Sequence, residues 1–365
     1  PYTTPFRSDM GYSDIGAYGS EIDTPALDSL ACEGVRFTQM YNAARCCPTR
    51  ASLLTGVYPH QAGVGHMIQD HGVGPAYQGY LSRNTMTIGE VLQNAGYRTA
   101  YAGKWHASPG VPVVGDPVAP PGTERNPSPL SRGFERFYGT LAGASSYFNP
   151  HALFEQHNRI EAPADDYYYT DAIGDHACRM IDEAATDDRP LFLHVCFTAP
   201  HWPLHAREED VEEFRGGYEK GWDYFRTARH EELRSRGLVD RSWEISPRDP
   251  DSREFGADPA SRQRWEASRM AVYAAQVRAM DRAVGRLMAG LRRNGMDENT
   301  IVMFLSDNGG CAEFLNEDGD ESEWPGHYAK TARPGEVCRV GNVEGVEPGP
   351  PTTFMSYDLP WANVS

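Results

Sequence analysis

The residues with the clearest chemical potential lie in one segment, from Cys46 to Gly56, which reads Cys-Cys-Pro-Thr-Arg-Ala-Ser-Leu-Leu-Thr-Gly. Pro48 suits the first turn of a helix, where its missing N–H costs nothing, and Gly56 suits the position just past the end. Cys46 would then lie at a helix N-terminus, where free backbone N–H groups and the helix dipole favour anions. Arg50 would lie one turn along the same face, where a guanidinium can hold an oxyanion through two hydrogen bonds. A short surface helix with incidental cysteines is the alternative interpretation of this segment alone.

A second group of polar residues follows an apolar run late in the chain. Residues 300–306 lead directly into Asp307, Asn308 and two glycines. A carboxylate and an amide oxygen at the carboxyl end of a strand are hard ligands, which suit Ca²⁺ or Mg²⁺. Asp9, preceded by Ser8, offers a further carboxylate near the start of the chain. An isolated Asp-Asn pair would more often mark a turn, so this assignment depends on the other segments.

Two further segments with strand character end in cationic or titratable side chains. Lys104 and His106 follow residues 98–101, and His201 follows residues 191–197. Functional groups gather at the carboxyl ends of parallel strands, so these side chains are candidates for the same site. A single histidine at a strand end is more often a hydrogen-bonded structural residue. The choice of catalysis for both histidines depends on the family resemblance described below.

Helix and strand signals alternate along the chain, which predicts an α/β fold with a mainly parallel central sheet flanked by helices. Residues 190–197 and 300–306 are continuous apolar runs, typical of central strands buried on both faces. Residues 1–7 contain two prolines and make a poor central strand. Segments 205–262 and 313–353 are predicted to be long excursions from the sheet. Further helices are predicted from Thr24 to Gly34, from Thr87 to Gly96, from Tyr169 to Ala184, and from Met270 to Leu291 with an end near Gly295.

Composition narrows the class of protein. The 365 residues carry a formal net charge of −17, which argues against a nucleic-acid partner and implies that an anionic substrate is recruited by a local cationic pocket. The longest apolar runs are strand-sized, so the sequence predicts no membrane span. Seven scattered cysteines predict buried thiols rather than a disulfide framework. The acidic run 317–321 is predicted to be a solvated loop rather than a second metal site.

Together these segments resemble the type I sulfatases of the alkaline phosphatase superfamily, from about Asp9 onward. The Cys-x-Pro-x-Arg and Leu-Thr-Gly spacing is similar to the family signature, and Asp-Asn-Gly-Gly is similar to its metal motif. The resemblance implies that a formylglycine-generating enzyme oxidises Cys46 to formylglycine, whose hydrate supplies the nucleophilic hydroxyl. It implies bound Ca²⁺ in preference to Mg²⁺ or Mn²⁺. The implied metal ligands are Asp9, the converted Cys46, Asp307 and Asn308, and the implied catalytic residues are Cys46, Arg50, Lys104, His106 and His201.

The same resemblance implies a role for each cationic or titratable residue. Lys104 contacts the formylglycine and the sulfate oxygens, and Arg50 stabilises their charge. His106 helps the formylglycine hemiacetal to collapse. His201 binds sulfate or protonates the leaving oxygen. His205 has no comparable role and is expected to contact the residues that form the site rather than the substrate.

The resemblance implies an arylsulfatase-like sulfuric ester hydrolase acting on a small-molecule or carbohydrate sulfate. Two alternatives stay open: a phosphonate monoester or phosphodiester hydrolase of the same superfamily, and a non-catalytic sulfatase-like binding protein. The second alternative follows from two departures, because Ser8 replaces an expected aspartate and Lys330 does not match the expected downstream lysine. We therefore expect residues 1–365 to be an N-terminal catalytic domain, truncated before the family's C-terminal subdomain and weakly active or inactive alone. The compartment stays open between a bacterial-type cytoplasm and, if a leader was removed, the periplasm or the medium.

Overall fold

The computed structural model describes residues 2–7, 9–70, 72–110, 120–163, 166–315 and 337–364, the first of these ranges through its backbone alone. Four features on which the sequence raises expectations lie wholly or partly outside the described residues. They are Ser8, the acidic run 317–321, Lys330, and residues 316–336 of the excursion predicted at 313–353.

A mostly parallel central sheet organises an α/β fold, as the sequence predicts. The strands of the described residues are β1 (Tyr2–Arg7), β2 (Arg98–Gly103), β3 (Arg136–Thr140), β4 (Leu153–Glu155), β5 (Asn158–Ile160), β6 (Leu191–Cys196), β7 (Ile301–Val302), β8 (Leu305–Ser306), β9 (Arg339–Val340) and β10 (Thr353–Phe354). The central sheet has the order β5-β4-β3-β2-β6-β1-β7, with β8 also paired to β1. Strands β4 and β5 pair antiparallel at one edge, and β9 and β10 form a separate small parallel sheet.

Helices cover both faces of the sheet. They are α1 (Pro25–Glu33), α2 (Cys46–Thr55), α3 (Pro59–Ala62), α4 (Ile88–Asn94), α5 (Tyr169–Ala184), α6 (Glu208–Glu212), α7 (Gly221–Ser235), α8 (Ala260–Arg293) and α9 (Leu359–Ala362). Alternate residues of β6 enter two different cores. Leu191, Leu193 and Val195 belong to the core that includes α5 and α8, whereas Phe192 and Cys196 belong to the core that includes α2 and α4. Because both faces are buried, β6 reads as a continuous apolar run.

Local capping signals correctly predict several helix ends. Thr87 Oγ1 accepts a hydrogen bond from Glu90 N–H at 3.1 Å, and the Glu90 carboxylate accepts one from Thr87 N–H at 2.6 Å, which completes the predicted capping box of α4. Helix α2 ends at Gly56, whose φ of 71° is left-handed and easily adopted by glycine. The predictions for α1 and α5 are likewise confirmed.

Strand β1 contradicts the prediction that residues 1–7 make a poor central strand. It lies inside the sheet, parallel to β6 on one side and to β7 and β8 on the other. The register explains how Pro5 is tolerated there. On the β7–β8 side, residues 2–3 and 6–7 of β1 are paired, so Pro5 falls opposite the gap between the two short strands. A residue without an N–H is acceptable at a point where no ladder bond is made.

The prediction of a buried central strand over residues 300–306 is wrong. This segment forms only β7 and β8, at the edge of the sheet as far as the described residues define it. Ile301 is 53% exposed and Met303 is 44% exposed. Continuous apolar sequence alone does not distinguish an edge position from a central one, because the distinction depends on which partner lies on the second side.

Helix α8 is longer than its apolar pattern predicts. The pattern covers Met270 to Leu291, whereas the helix begins ten residues earlier, at Ala260. These additional turns bury an ionic group alongside Trp265 and Ala267, since Glu266 is completely buried. Its carboxylate pairs with Arg253, Arg262 and Arg269. Hydrophobic periodicity cannot detect a buried helix face that is satisfied by paired charges. Despite its length, neither α8 nor another helix in the described part of the chain is apolar enough to cross a bilayer.

The excursion predicted at residues 205–262 contains α6 and α7 and packs against the N-terminal segment. Arg229 of α7 is 2% exposed and forms ion pairs with Asp14 at 2.5 Å and with Glu21 at 2.8 Å. The hydroxyl of Tyr273, in α8, donates to Asp14 Oδ2 at 2.6 Å. These contacts fix the segment that follows β1, which carries Asp9.

Candidate active site

Helix α2 begins at Cys46 within the protein interior, as the sequence predicts. Its residues from Cys46 to Ala51 are buried. The backbone N–H of Ala43 donates to Thr49 Oγ1 at 2.9 Å, which folds the preceding segment back onto the first turn. The positive end of the helix dipole is therefore located at the Cys46 side chain.

Arg50 links this helix to two strand ends. Its side chain is 3% exposed, and one terminal nitrogen donates to the carbonyl oxygen of Lys104 at 2.7 Å. Arg50 Nε lies 2.8 Å from Oδ2 of Asp307, which is completely buried. This interior ion pair joins the start of α2 to the residue that follows β8.

The ends of β1 and β8 are held together by a reciprocal contact between Asp9 and Asn308. The Asn308 amide donates to Asp9 Oδ1 at 2.8 Å, and Asp9 N–H donates to Asn308 Oδ1 at 3.3 Å. Asp9 adopts a φ of 61°, in the left-handed region. The hydroxyl of Tyr357, which donates to the carbonyl oxygen of Pro200 at 2.6 Å, also lies 3.3 Å from Asp9 Oδ2. The two predicted metal-ligand segments therefore meet at one point.

His201, in the loop after β6, faces the same carboxylate. Its Nε2 lies 3.5 Å from Asp9 Oδ2. Its Nδ1–H donates to the carbonyl oxygen of Trp202 at 2.6 Å, which fixes the orientation of the ring. Burial lowers the pKa of His201 to about 3, so the isolated site favours the neutral imidazole.

Lys104 and His106 follow β2 and are buried. Gly103, with a φ of 111°, allows the chain to turn here, because a Cβ at this position would lie 2.0 Å from the carbonyl oxygen of Cys196. The turn places His106 Nε2 at 3.2 Å from the sulfur of Cys47. Lys104 and His106 thus reach the start of α2 from the neighbouring strand.

Burial and opposing charges set the electrostatics of the site. Burial raises the pKa of Asp9 to about 6, against the lowering effect of the Lys104 ammonium. Burial also raises the pKa of Asp307 to about 6, against the lowering effect of Arg50. A hydrogen bond from Cys47 holds the pKa of the Cys46 thiol well below its usual value, and His106 and Lys104 act in the same direction. The buried Lys104 and Arg50 therefore place positive charge near Cys46, although the whole chain is acidic.

The oxygen ligands fit a hard divalent cation. Asp307 Oδ1 and one terminal nitrogen of Arg50 have no hydrogen-bond partner among the residues that the structure describes, whereas Asp307 Oδ2 is paired with Arg50 Nε. Buried polar atoms are normally hydrogen-bonded, so these atoms are arranged for a partner other than protein. Two carboxylates and a side-chain amide suit Ca²⁺ or Mg²⁺, and the guanidinium suits an anion beside it.

Comparison with known proteins identifies the family. The family model described as Sulfatase matches residues 7–332. The chain belongs to the sulfatase family. It is 32% identical to the arylsulfatase of Klebsiella aerogenes over 373 residues, which cover 98% of this chain and 73% of that relative.

Solved structures extend the comparison for this sulfatase-family chain. The structure of Ps i-CgsB in complex with k-i-k-neocarrahexaose matches with a TM-score of 0.59 and 26% identity, over 85% of this chain and 58% of that one. The phosphonate monoester hydrolase of Agrobacterium radiobacter matches with a TM-score of 0.53 and 20% identity, over 84% and 62%. The second match shows a common fold alone. The chain therefore spans between 58% and 73% of the length of these three proteins.

The structure brings together the side chains that the sequence selected for the site, although their roles stay predictions. They are Asp9, Cys46, Arg50, Lys104, His106, His201, Asp307 and Asn308. Two contacts were not anticipated. The pairing of Cys47 with His106 connects residues 59 positions apart, and Tyr357 reaches Asp9 from near the end of the described chain. No local pattern signals either contact, because both depend on how distant strand ends converge.

His205 makes its hydrogen bonds elsewhere in the sulfatase fold. Its Nε2–H donates to the carbonyl oxygen of Thr353 at 2.5 Å, and its Nδ1 accepts from Tyr147 N–H at 3.4 Å. This arrangement satisfies a neutral ring and has no place for a second proton, and burial lowers the pKa of His205 to about 4. The ring therefore joins the excursion after β6 to strand β10.

Acidification should destabilise the fold through His205. Its ordinary pKa is 6.5 and its folded-state pKa is about 4, so the unfolded chain binds more protons between these pH values and stability falls as the pH falls. The expected loss from this group is about 2 kcal/mol at pH 5. Urea unfolding at pH 7 and pH 5 measures it. His205→Gln should be less stable at pH 7 but lose less on acidification, and an unchanged pH dependence would contradict the assignment.

Proposed function

We propose that this chain carries the catalytic site of a sulfuric ester hydrolase. The observation that supports this proposal is the convergence of a buried helix start at Cys46, a cationic group in Arg50, and oxygen ligands in Asp9 and Asp307. The sulfate group of a monoester is a compact anion, and its binding requires backbone N–H groups, a cationic side chain and a metal ion held by oxygen ligands. The acidic surface of the chain does not oppose binding, because the local field at the site is cationic.

Asp9, Asp307 and Asn308, with the residue at position 46, would hold Ca²⁺. When bound, Ca²⁺ supplies positive charge to the oxygens of the reacting sulfate. The ion pair with Arg50 fixes Asp307, and the hydrogen bond from the Asn308 amide fixes Asp9. The chain thereby orients both carboxylates before any metal binds.

Conversion of Cys46 to formylglycine by a formylglycine-generating enzyme would supply the nucleophilic hydroxyl at the start of α2. The helix N-terminus and the free nitrogen of Arg50 hold sulfate oxygens next to it. Lys104 adds a buried positive charge that favours the transition state more than the ester, because negative charge builds on the departing oxygen. Each of these groups is positioned by a strand end or a helix start rather than by a free loop.

His201 is the proposed proton carrier for the leaving oxygen. Its Nδ1–H is committed to the carbonyl of Trp202, so exchange with a substrate occurs at Nε2. That atom faces Asp9 at 3.5 Å. When the sulfate ester is bound, its negative charge and the Asp9 carboxylate would favour a proton on Nε2, and Nε2 would pass this proton to the leaving oxygen, which returns the ring to its neutral form. His106 contacts Cys47 at the start of α2.

The proposed substrate is an aryl or carbohydrate sulfate. Support for a carbohydrate comes from Ps i-CgsB, which was solved with an oligosaccharide. The test uses the chain produced with a formylglycine-generating enzyme and three matched substrates: p-nitrophenyl sulfate, p-nitrophenyl phenylphosphonate and bis(p-nitrophenyl) phosphate. The proposal is supported if kcat/KM is highest for the sulfate among the three substrates. Preference for a phosphorus ester assigns the site to a phosphonate or phosphodiester hydrolase, and binding without turnover assigns it to a non-catalytic protein.

Calcium should stabilise the chain, and Asp9→Asn should remove most of that effect. At about 100 times its Kd, a ligand adds about 2.7 kcal/mol to folding, so Ca²⁺ should raise the Tm by several degrees. The asparagine keeps the shape of Asp9 but removes one of two carboxylate charges. Asp182→Asn, at a surface pair with Arg293, is the matched control and should respond to Ca²⁺ as the unchanged chain does. Thermal unfolding with Ca²⁺ or EDTA measures this, and equal shifts in all three proteins would contradict the metal assignment.

A further inference from the structure

A second set of potential metal ligands lies at the start of α2, and it is soft rather than hard. One ligand atom from each of Cys46, Cys47 and His106 lies within 4.8 Å of the others. All three side chains are buried, with exposed fractions of 7%, 0% and 4%. Hydrolysis by the site described above uses Cys46 only after its sulfur has been removed. The sulfur of Cys47 has no part in that chemistry.

We propose that the chain whose Cys46 is still a thiol binds Zn²⁺ through Cys46 Sγ, Cys47 Sγ and His106 Nε2. Ligands around tetrahedral zinc, at 2.0–2.3 Å from the ion, lie about 3.5–3.8 Å from one another. The Cys47–His106 separation of 3.2 Å is close to this spacing, so small side-chain rotations complete the geometry. Thiolates with an imidazole select zinc over calcium or magnesium.

The surroundings keep these ligands in place. A Cβ at Gly143 would lie 2.2 Å from the His106 ring, so this glycine allows backbone to pack directly against the imidazole. The thioether sulfur of Met67 lies 3.7 Å from Cys47 Sγ, which adds a polarisable neighbour to the set. Three protein ligands leave the fourth zinc position to water or an added ligand. Thiol protons pass to the buffer when the ion binds.

Conversion of Cys46 to an aldehyde removes one of the two sulfur ligands. The zinc site therefore belongs to the unconverted chain, and bound Zn²⁺ would shield the Cys46 sulfur from any reagent that must reach it. This inference does not depend on sulfate hydrolysis. A chain that hydrolyses no ester could still bind zinc, and a chain that binds no zinc could still be a hydrolase after conversion.

The test uses the full chain produced without a formylglycine-generating enzyme, with the Cys46 thiol verified by peptide mass. Co²⁺ serves as the spectroscopic probe, and Zn²⁺ affinity is measured by competition with a chromogenic chelator. We expect one tightly bound ion per chain, thiolate-to-cobalt charge-transfer absorption, and the strong visible bands of tetrahedral Co²⁺. Weak octahedral bands without charge transfer would overturn the proposal.

Variants identify the ligands. Cys47→Ala should lower the Zn²⁺ affinity by at least about 10-fold. Substituting a residue that only hydrogen-bonds to a metal ligand already costs about that much, and Cys47 is proposed as a ligand itself. Cys32→Ser, at an exposed thiol, is the matched control and should leave affinity unchanged. If Cys47→Ala fails to fold, as judged by circular dichroism, the converted chain provides the second comparison and should show the same loss. Equal affinity in the unconverted chain and in the folded comparison protein would overturn the proposal.

Discussion

Cys46→Ala is expected to abolish sulfate ester hydrolysis, with kcat lower by at least about 10⁴-fold than in the converted chain. Alanine at this position provides no atom from which the nucleophilic hydroxyl can be made. The helix N-terminus, Arg50 and Lys104 are left in place, so binding of the substrate anion should change much less than kcat. The kinetic signature is therefore a collapse of kcat with a nearly constant KM or inhibition constant for sulfate.

Steady-state hydrolysis of p-nitrophenyl sulfate checks this result. Cys32→Ser is the control. It removes an exposed thiol for which no role is predicted, so this variant should keep full activity. Circular dichroism of both variants verifies that the fold is intact. Substantial residual turnover by Cys46→Ala would show that another group performs the attack.

Arg50→Gln is expected to cost both stability and activity. The guanidinium and the Asp307 carboxylate are 3% and 0% exposed, so removing Arg50 leaves an unpaired charge in the interior. Breaking one side of a buried ion pair typically costs about 3–5 kcal/mol, which corresponds to a fall in Tm of about 4–7 °C for a chain of this length. Arg50→Lys should not rescue activity, because an ammonium cannot contact Asp307, the Lys104 carbonyl and a sulfate oxygen with one planar group.

Thermal unfolding without added metal measures the stability effect of Arg50→Gln. Arg189→Gln is the matched control, since Arg189 forms its ion pairs at the surface and is 43% exposed. Exposed pairs are screened by water and contribute little, so its Tm should not change measurably. Equal effects of the two substitutions would show that the Arg50–Asp307 pair is not an important element of the interior.

The predictable part of the fold is the part that local sequence determines. The capping box at Thr87 and the terminal glycine at position 56 give helix ends within a residue or two, because the relevant interactions span one turn. Strand β6 was correctly placed since it is buried on both faces. The eight predicted site residues meet in space because they follow helix starts or strand ends, which parallel topology gathers at one edge.

The errors arise where non-local partners decide the outcome. Pro5 argued against a central β1, but the register places it opposite a break in the neighbouring ladder. The apolar run at 300–306 was expected to be central, but its position is set by a sheet order that composition does not encode. Helix α8 began before its apolar pattern because Glu266 is neutralised by three arginines drawn from two segments. The contacts of Cys47 and Tyr357 have the same origin.

The most direct test of the central claim is peptide mass analysis at residue 46, combined with arylsulfate turnover by the same preparation. The chain is produced with and without a formylglycine-generating enzyme. We predict that the thiol-to-aldehyde mass change appears at Cys46 and not at Cys47, and that turnover rises in proportion to the converted fraction. A correctly folded chain in which Cys46 stays a thiol, or turnover that is independent of conversion, would contradict the assignment of Cys46 as the source of the nucleophile.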